Sequence, residues 1–181
     1  MGMLYDTTRC IGCKACVAAC REANGLEPDT GLDGLHQAPL DLNGRTKNVI
    51  KLYKEGQKVS FLKAQCMHCV DPACVSACPA AALVKTPRGS VIWKEENCIG
   101  CRYCMLACPF NVPRFEWRSG MTPRIAKCDF CDDRREKGRP PACVGACPTG
   151  ALRYGKRRMI VGEARQRLAS DPSRYSTIYG D

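Results

Sequence analysis

Aromatic side chains are scarce in this sequence, where Phe, Tyr and Trp together make up 7% of 181 residues. Few of the large side chains that usually dominate a protein core are therefore present. The hydrophobic fraction of 45% also counts sixteen cysteines, so the content of ordinary apolar residues is lower than that number suggests. The length allows one or two compact domains and excludes a large catalytic barrel. We expect something besides apolar burial to hold much of the chain together.

Long apolar segments and export signals are also missing. Around the most apolar part of the sequence, the longest stretch without charged residues covers the 13 residues 72–84 and includes two prolines. A membrane-spanning helix needs about 20 apolar residues. No basic segment followed by an apolar one precedes Cys10, and there is no twin-arginine signal. The sequence thus predicts no membrane span of its own and a cytoplasmic location, with export alongside a partner subunit as the alternative.

Cysteine is what the sequence has in excess. Disulfides, four zinc sites and iron–sulfur clusters are the three interpretations, and a reducing cytoplasm argues against the first. Every cysteine belongs to one of four groups of four, so none remains as a nucleophile. The groups are Cys10, Cys13, Cys16 and Cys20; Cys66, Cys69, Cys74 and Cys78; Cys98, Cys101, Cys104 and Cys108; and Cys128, Cys131, Cys143 and Cys147.

The spacing within the groups favours iron–sulfur clusters over zinc. Three thiolates within seven residues, as at Cys98, Cys101 and Cys104, can surround three corners of a cubane. A fourth cysteine followed by proline reaches a different cluster in the bacterial ferredoxin pattern. Zinc sites more often present two separated pairs of ligands around one small ion. We therefore predict four [4Fe–4S] clusters, with a zinc-binding structural or regulatory module as the alternative.

The formal charge of +10 suggests nucleic-acid binding until the cysteines are considered. Sixteen thiolates remove sixteen units of charge and four [4Fe–4S]2+ cores return eight, leaving about +2. Four zinc ions would leave the same charge, so this argument does not separate the two metals. It does remove the main support for a nucleic-acid partner.

The segment between the second and third groups predicts how the groups pair. Two β-prone runs, 83–85 and 90–93, flank a Thr-Pro-Arg-Gly turn. A hairpin in this position links the halves of a two-cluster ferredoxin, so Cys78 would ligate the cluster of the third group and Cys108 that of the second. By elimination, the first and fourth groups form the other pair. The predicted fold class is α+β, with two interleaved ferredoxin-like units, one inserted in the other, and added β-hairpins.

This interpretation divides the chain into four parts. Residues 1–60 form the first half of the outer unit with an inserted hairpin, and residues 61–112 form the inner two-cluster domain. Residues 113–160 complete the outer unit, and residues 161–181 form a C-terminal helix and arm. Other predicted elements are a loop up to about residue 44, a helix over 14–24, a hairpin of strands 48–54 and 58–63, a connector over 113–124, a hairpin of strands 152–154 and 159–161, and a helix over 163–170.

Several segments carry charges or rings whose roles the sequence leaves open. The charged stretch between Cys131 and Cys143 is predicted to be a solvated loop, with a docking surface for an acidic partner as the alternative. His68 is a candidate for tuning a cluster, although packing beside the ligands is the plainer interpretation. Lys14, Arg102 and Lys127 adjoin ligands and would raise local potentials, whereas Trp93 and Trp117 are predicted to pack on hairpins.

The motifs themselves resemble those of a known family. They are Cys-Ile-Gly-Cys-Lys-Ala-Cys at 10–16, Cys-Ile-Gly-Cys-Arg-Tyr-Cys at 98–104, Cys-Pro-Phe-Asn-Val-Pro at 108–113, Lys-Cys-Asp-Phe-Cys at 127–131 and Ala-Cys-Val-Gly-Ala-Cys-Pro-Thr-Gly-Ala at 142–151. Over roughly residues 5–160 the chain resembles the four-cluster electron-transfer subunits of dimethyl sulfoxide reductase, formate dehydrogenase and certain membrane-bound hydrogenases. The resemblance implies a relay of single electrons and no catalysis by the chain itself, and the sequence has no histidine–carboxylate pair, phosphate loop or spare cysteine.

The resemblance also implies which cysteines share a cluster. Nitrate reductase relatives carry tryptophan in place of one third-group cysteine and hold a three-iron cluster there, whereas this group is complete. We therefore expect four [4Fe–4S] centres. The implied sets are Cys10, Cys13, Cys16 and Cys147; Cys20, Cys128, Cys131 and Cys143; Cys66, Cys69, Cys74 and Cys108; and Cys78, Cys98, Cys101 and Cys104.

The partners implied by the resemblance are redox proteins. One is a large catalytic subunit, either a molybdenum or tungsten pterin enzyme or a hydrogenase, and the other is a second electron carrier such as a flavoprotein. Many relatives have a longer C-terminal part, so this sequence favours the soluble short form found with tungsten aldehyde oxidoreductases. A linear arrangement with two ends also permits self-association, although no residue requires it.

Overall fold

A computed structural model describes residues 1–27, 40–117 and 124–180. Parts of the predicted loop before residue 44 and of the predicted connector 113–124 lie outside these ranges. Short helices and strands alternate along the chain, which confirms the α+β prediction. The elements are β1 Gly2–Tyr5, α1 Ala15–Ala23, β2 Asn48–Glu55, β3 Lys58–Gln65, α2 Ala73–Ser76, β4 Leu83–Lys85, β5 Val91–Trp93, a 3-10 turn Glu95–Asn97, α3 Tyr103–Ala107, β6 Arg114–Glu116, β7 Arg124–Ala126, α4 Asp132–Glu136, α5 Ala142–Gly145, β8 Leu152–Gly155 and α6 Arg157–Ser170.

The strands form four separate antiparallel pairs: β1 with β8, β2 with β3, β4 with β5, and β6 with β7. Strands β1 and β8 pair from Gly2 opposite Gly155 to Tyr5 opposite Leu152. This pair joins the segment before the first cysteine group to the segment after the fourth. No helix in the described ranges is long and apolar enough to cross a membrane.

Two predicted hairpins are confirmed. Strands β2 and β3 pair along their full length, from Asn48 opposite Gln65 to Glu55 opposite Lys58. Strands β4 and β5 form the hairpin between the second and third groups, with Leu83 opposite Trp93. Both turns contain a glycine in the left-handed region, which is the conformation that such tight turns require.

The predicted hairpin of strands 152–154 and 159–161 is wrong. Strand β8 pairs with β1 instead, and helix α6 begins at Arg157. Ile160 and Ala164, four residues apart, are the buried residues of this helix, so a helical spacing decides its packing although 159–161 alone resembles a strand. The helix ends at Ser170, as the following Asp171 and proline predict.

The charged stretch after Cys131 is a solvated loop only in its second part, because residues 137–140 are exposed whereas residues 132–136 are helical. It contains helix α4, in which Asp132 and Arg135 are buried. The Arg135 guanidinium donates to Ser90 Oγ at 2.7 Å and to the Arg88 carbonyl at 2.8 Å. Arg88 in turn lies 2.5 Å from an Asp132 carboxylate oxygen, and the Ser90 hydroxyl donates to Asp132. These charges hold α4 against the turn of the β4–β5 hairpin.

The C-terminal arm after α6 folds back onto the start of its own chain. The Tyr175 hydroxyl donates to the Asp6 carboxylate at 3.1 Å, and Arg167 of α6 donates to the same group at 2.5 Å. Thr8 also donates to Asp6, and Arg174 donates to the Thr8 carbonyl at 3.1 Å. The buried Asp6 carboxylate therefore fastens the C-terminal segment.

The buried apolar residues form three small clusters, and each includes cysteines. Only one contains a buried aromatic residue, Phe115. This distribution agrees with the scarcity of aromatic residues and places the cysteine groups at the centres of the packing. The buried cluster members are Cys16, Val17, Ile50, Cys143 and Leu152; Leu42, Val49, Cys66, Val112 and Cys128; and Leu83, Val91, Cys104, Phe115 and Ile125.

Candidate metal centres

The ligand loops of the first and third groups share an unusual backbone. Gly12 and Lys14 have φ of 71° and 58°, and Gly100 and Arg102 have φ of 70° and 66°. Left-handed residues curl the chain and turn successive N–H groups toward one side, as in the backbone nests that surround many iron–sulfur clusters. A side chain at position 12 would also overlap the Phe61 ring. Glycine is thus required there both by conformation and by space.

A second backbone feature, which the cysteine spacing does not predict, follows each Cys-Pro pair. The third residue after Cys78, Cys108 and Cys147 has φ near +50° to +63° and donates its N–H to the carbonyl of that cysteine. In these three groups the chain therefore turns directly after the fourth cysteine. Asparagine and glycine, which stand at two of these positions, are residues that favour a left-handed backbone, whereas the alanine at the third position gives no such indication. The residues are Ala81, Asn111 and Gly150, at 3.3, 3.1 and 3.3 Å from the respective carbonyl oxygens.

The thiols of the third group lie together with one thiol of the second. Burial, followed by electrostatic interaction with Cys101, Cys74, Cys78 and Cys98, raises the pKa of Cys104 to about 11. A surface depression is lined by Cys78, Cys98, Cys101 and Cys104. The structure therefore brings together the set that was predicted to combine the third group with Cys78.

The remaining second-group thiols lie with the last cysteine of the third group. Burial raises the pKa of Cys74, and so do the neighbouring thiols of Cys66, Cys108 and Cys69. Burial, Cys66 and Cys108 likewise raise the pKa of Cys69. In the fold, Cys78 thus lies with the thiols of the third group, and Cys108 lies with those of the second.

The first and fourth groups meet in the same crossed manner. Burial raises the pKa of Cys20 to about 11, and among the thiols that interact with it are Cys143 and Cys131. The buried Cys128 thiol also interacts with Cys20. The last cysteine of the first group is therefore surrounded by the first three cysteines of the fourth.

The complementary set lies around Tyr5 of β1. Burial raises the pKa of Tyr5, as do a hydrogen bond with Cys10 and the charges of Cys10, Cys16 and Cys147. The pKa of Cys16, raised to about 11 chiefly by burial, also responds to Cys10 and Cys13. The pairing of β1 with β8 brings the last cysteine of the chain to the first group.

The four sets are arranged in series. Thiols of adjacent sets interact at three points: Cys16 with Cys143, Cys128 with Cys66, and Cys104 with Cys74. At the two ends of the series, Cys13 and Cys101 are exposed, whereas most of the cysteines in the middle two sets are at least partly covered. Each end of this series thus has one exposed thiol, whereas the middle sets have none.

A single zinc ion would need its thiol ligands close together. Four sulfurs bound at about 2.3 Å around one zinc ion would be only about 3.8 Å apart. Among the described residues, which include all sixteen cysteines, no three His, Cys, Asp or Glu side chains form a group that could hold a single metal ion.

One buried charge also fits a negatively charged centre. Lys63 of β3 is 8% exposed, and its ammonium has no hydrogen-bond partner among the described residues. Its charge lowers the pKa of Cys16, Cys20 and Cys143, against the larger effect of burial. A buried ammonium without a counterion is costly unless negative charge lies nearby. Thiolate-bound clusters would supply that charge, although no motif in the sequence marks this lysine.

Several N–H groups point toward cysteine sulfurs. Such contacts stabilise negative charge on the sulfur and so affect the potential of a cluster. The backbone N–H groups of Ala82 and Phe130 donate to Cys78 and Cys128 at 3.2 and 3.4 Å, and the Asn24 side chain donates to Cys20 at 3.6 Å.

The basic residues predicted beside the ligands have different environments. Lys127 is buried and donates to the carbonyls of Val91 and Cys128. Arg102 instead lies 4.3 Å above the exposed Trp117 ring, and burial lowers the pKa of Lys14. Only Lys127 is therefore held firmly inside, next to the fourth-group ligands.

His68 makes the most specific contact of the predicted tuning residues. Its Nε2 lies 3.5 Å from Cys128 Sγ, although 60 residues separate the two in sequence. Burial, with smaller contributions from Lys127 and Lys85, lowers the pKa of His68 well below 6.5. A neutral ring thus lies against a ligand of another group.

Comparison with known proteins agrees with this geometry. Two family models, each described as a 4Fe-4S dicluster domain, match residues 57–157 and 9–82. The chain is 40% identical over 186 residues to the hydrogenase-2 operon protein HybA of Escherichia coli O157:H7, covering 95% of this chain and 56% of that protein.

Two further relatives carry names from another enzyme system. The iron-sulfur subunit of the nitrate-inducible formate dehydrogenase of Escherichia coli K12 is 42% identical over 172 residues, covering 92% of this chain and 58% of its own length. A formate dehydrogenase iron-sulfur subunit of Haemophilus influenzae is 39% identical over 178 residues, covering 94% and 56%. The chain thus spans somewhat more than half the length of these relatives.

Proposed function

This chain belongs to the 4Fe-4S dicluster family, and from that premise we propose that it relays single electrons through four [4Fe–4S] clusters between two redox partners. The observation that carries the proposal is the series of four thiol sets with exposed Cys13 at one end and exposed Cys101 at the other. A storage or structural role would not need two accessible ends joined by a continuous interior.

The proposed ligand sets follow the spatial neighbourhoods of the thiols. Each set takes three cysteines from one group and the last cysteine of another, so that every cluster joins two segments of the chain. The sets are Cys10, Cys13, Cys16 and Cys147; Cys20, Cys128, Cys131 and Cys143; Cys66, Cys69, Cys74 and Cys108; and Cys78, Cys98, Cys101 and Cys104.

The same exchange supports the proposed domain arrangement. Residues 61–112 would form an inner two-cluster unit, built around the β4–β5 hairpin. Residues 1–60 and 113–160 would form the outer unit, which the β1–β8 pair closes, and residues 161–181 would add the C-terminal helix and arm. The pairing of β1 with β8 supports an insertion because it joins the two ends of the outer unit across the inner one.

The chain's own residues position the clusters and set their surroundings. A [4Fe–4S] cluster supplies a centre that accepts and passes on one electron without breaking a bond in the protein. N–H groups directed at sulfur and the buried Lys63 and Lys127 charges favour the form with the additional electron. The chain is an electron-transfer subunit and not itself the enzyme.

The proposed partners dock at the two ends. Ile11 and Ile99 are 62% and 69% exposed, and each lies in a ligand loop beside the exposed Cys13 or Cys101. Apolar residues around an electron exit suit a protein surface that excludes water. The names of the relatives support a large hydrogenase or formate dehydrogenase subunit at one end. We infer a molybdenum or tungsten pterin enzyme, a flavoprotein at the other end and a cytoplasmic location, with export beside a partner as the alternative.

Elemental analysis of anaerobically purified protein tests the relay. We expect about sixteen irons and as many inorganic sulfides per chain. The brown absorption should bleach with dithionite and give electron paramagnetic resonance signals from interacting clusters. A colourless protein with about four zinc ions, or one with well under roughly a dozen irons, would contradict the proposal.

A further inference from the structure

His68 lies at the junction between the second and fourth cysteine groups. It stands between Cys66 and Cys69 in sequence, with φ of 50°, a left-handed conformation that histidine adopts more readily than most residues. Its Nε2 lies 3.5 Å from the sulfur of Cys128. The thiols of Cys66 and Cys128 also interact, so this ring lies where two adjacent sets approach each other.

The other ring nitrogen determines where the imidazole proton is. The backbone N–H of Val91 donates to His68 Nδ1 at 2.9 Å, so Nδ1 carries a lone pair. A neutral imidazole then carries its proton on Nε2. Because Nε2 faces Cys128, that N–H is directed at the sulfur. Val91 is 1% exposed and belongs to the β4–β5 hairpin, which makes this acceptor arrangement a fixed part of the fold.

Neighbouring groups hold the ring in place. It stacks on Phe130 with 4.9 Å between ring centroids and 15° between planes. The Arg135 guanidinium covers Phe130 at 4.4 Å, and Lys85 Nζ donates to the His68 carbonyl at 2.8 Å. These contacts hold the imidazole ring in one position, unlike the ring of an exposed surface histidine.

We propose that His68 tunes the relay by donating a hydrogen bond from Nε2 to Cys128 Sγ, which raises the reduction potential of the cluster that Cys128 would ligate. The inference rests on the proposed function. An electron that arrived at this cluster would increase the negative charge on its sulfurs, Cys128 Sγ included. No bond to hydrogen is made or broken, because the N–H remains a donor throughout. A donor to sulfur stabilises the form with the additional electron and therefore raises the potential.

Two substitutions separate the two ring nitrogens. In His68→Asn, the side-chain oxygen takes the place of Nδ1, and asparagine tolerates the left-handed backbone. This variant keeps an acceptor for Val91 and loses the donor to Cys128. In His68→Gln, the longer side chain places an amide N–H near the former Nε2. This variant restores a donor to the sulfur.

A redox titration followed by electron paramagnetic resonance is the decisive measurement. In His68→Asn, with iron content unchanged, we expect one of the four midpoint potentials to fall so that the reduced-to-oxidised ratio changes about tenfold at a fixed potential, or about 59 mV. The other three midpoint potentials should change by only a fraction of that shift. In His68→Gln, the affected potential should return most of the way to its wild-type value. Four unchanged potentials, or an equal shift of all four, would overturn the inference.

A second measurement needs no substitution at this position. The sequence contains two histidines, so labelling with 15N-histidine in a His36→Gln background leaves His68 as the labelled imidazole. Pulsed electron paramagnetic resonance of the reduced protein should detect a weak coupling between one cluster and the labelled nitrogen. No coupling in a protein with four clusters would overturn the role of His68 alone, whereas a wild-type protein without clusters would overturn the relay and this inference with it.

Discussion

The buried ion network between α4 and the β4–β5 turn makes a measurable contribution to stability. Arg135 is the central member, with a side chain 2% exposed that contacts Ser90 Oγ, the Arg88 carbonyl and the Phe130 ring. Replacing it with leucine would leave the buried Asp132 with less positive charge and leave the Arg88 carbonyl without this donor. We therefore expect Arg135→Leu to destabilise the folded protein.

The size of the destabilisation in Arg135→Leu depends on which partners Asp132 keeps. Removing one partner of a buried ion pair costs about 3–5 kcal/mol. Asp132 keeps its contact with Arg88 at 2.5 Å and its bond from Ser90, which places this case at the lower end, about 3 kcal/mol. If the network is already broken in the transition state for unfolding, the substitution destabilises the folded state alone. The loss of about 3 kcal/mol in the free energy of unfolding then increases the unfolding rate about a hundredfold.

The loss of visible absorption in guanidinium under anaerobic conditions measures this rate. A rate is the appropriate quantity because cofactor loss makes unfolding irreversible. The matched control is Lys137→Leu, which removes one positive charge from an exposed position two residues further along the chain and should change the rate little. Equal rates in Arg135→Leu and Lys137→Leu would refute the assignment of a stabilising role to the network.

Three further changes test separate features of the structure. Gly12→Ala should lower the iron content by about four atoms per chain, because the left-handed backbone and the nearby Phe61 ring disfavour a side chain there. The control Gly25→Ala, at a left-handed position with open space around it, should retain all the iron. Lys63→Met should lower the potentials of the outer clusters by at least about 59 mV, and Lys58→Met at the exposed end of the same strand should not. Burial would raise the pKa of Asp6, but its side-chain hydrogen bonds lower it below 3.8. Its contribution to stability is therefore fully present above about pH 4 and is lost as the pH falls further, through the lowered pKa of the folded protein. At pH 7, Asp6→Asn should increase the rate of amide hydrogen exchange in the C-terminal segment, because it weakens the hydrogen bonds from Arg167 and Tyr175. An unchanged exchange rate would show that Asp6 does not hold this segment in place.

Local signals in the sequence predict the elements that depend on them. Glycine turns between β-prone runs predict the β2–β3 and β4–β5 hairpins, and the helix predicted over 14–24 is α1, Ala15–Ala23. Cysteine spacing alone predicts which residues serve as ligands, because three thiolates within seven residues leave few alternatives. In each case the deciding contacts join residues that are close together in the chain.

Contacts between distant segments account for what the sequence did not predict. Strand β8 was expected to form a hairpin, yet its partner is β1, about 150 residues earlier. The charges of α4 resemble those of a solvated loop because their partners, Arg88 and Ser90, lie more than 40 residues away. The contact of His68 with Cys128 likewise spans 60 residues, and it depends on a backbone N–H of β5 that donates to the other ring nitrogen. No periodicity or motif near either residue encodes such a pairing.

The difference between local and distant contacts also orders the assembly of the proposed units. Ligands of the inner unit lie within residues 66–108, on either side of one hairpin, so a short stretch of chain can bring them together. The outer unit must join Cys16 and Cys147, and β1 to β8, across nearly the whole described chain. The network of Asp132 and Arg135 joins the fourth group to the hairpin of the inner unit. A completed inner unit thus offers the surface on which the outer ligands can converge, which explains why buried charges lie at this boundary in a chain with so few large apolar side chains.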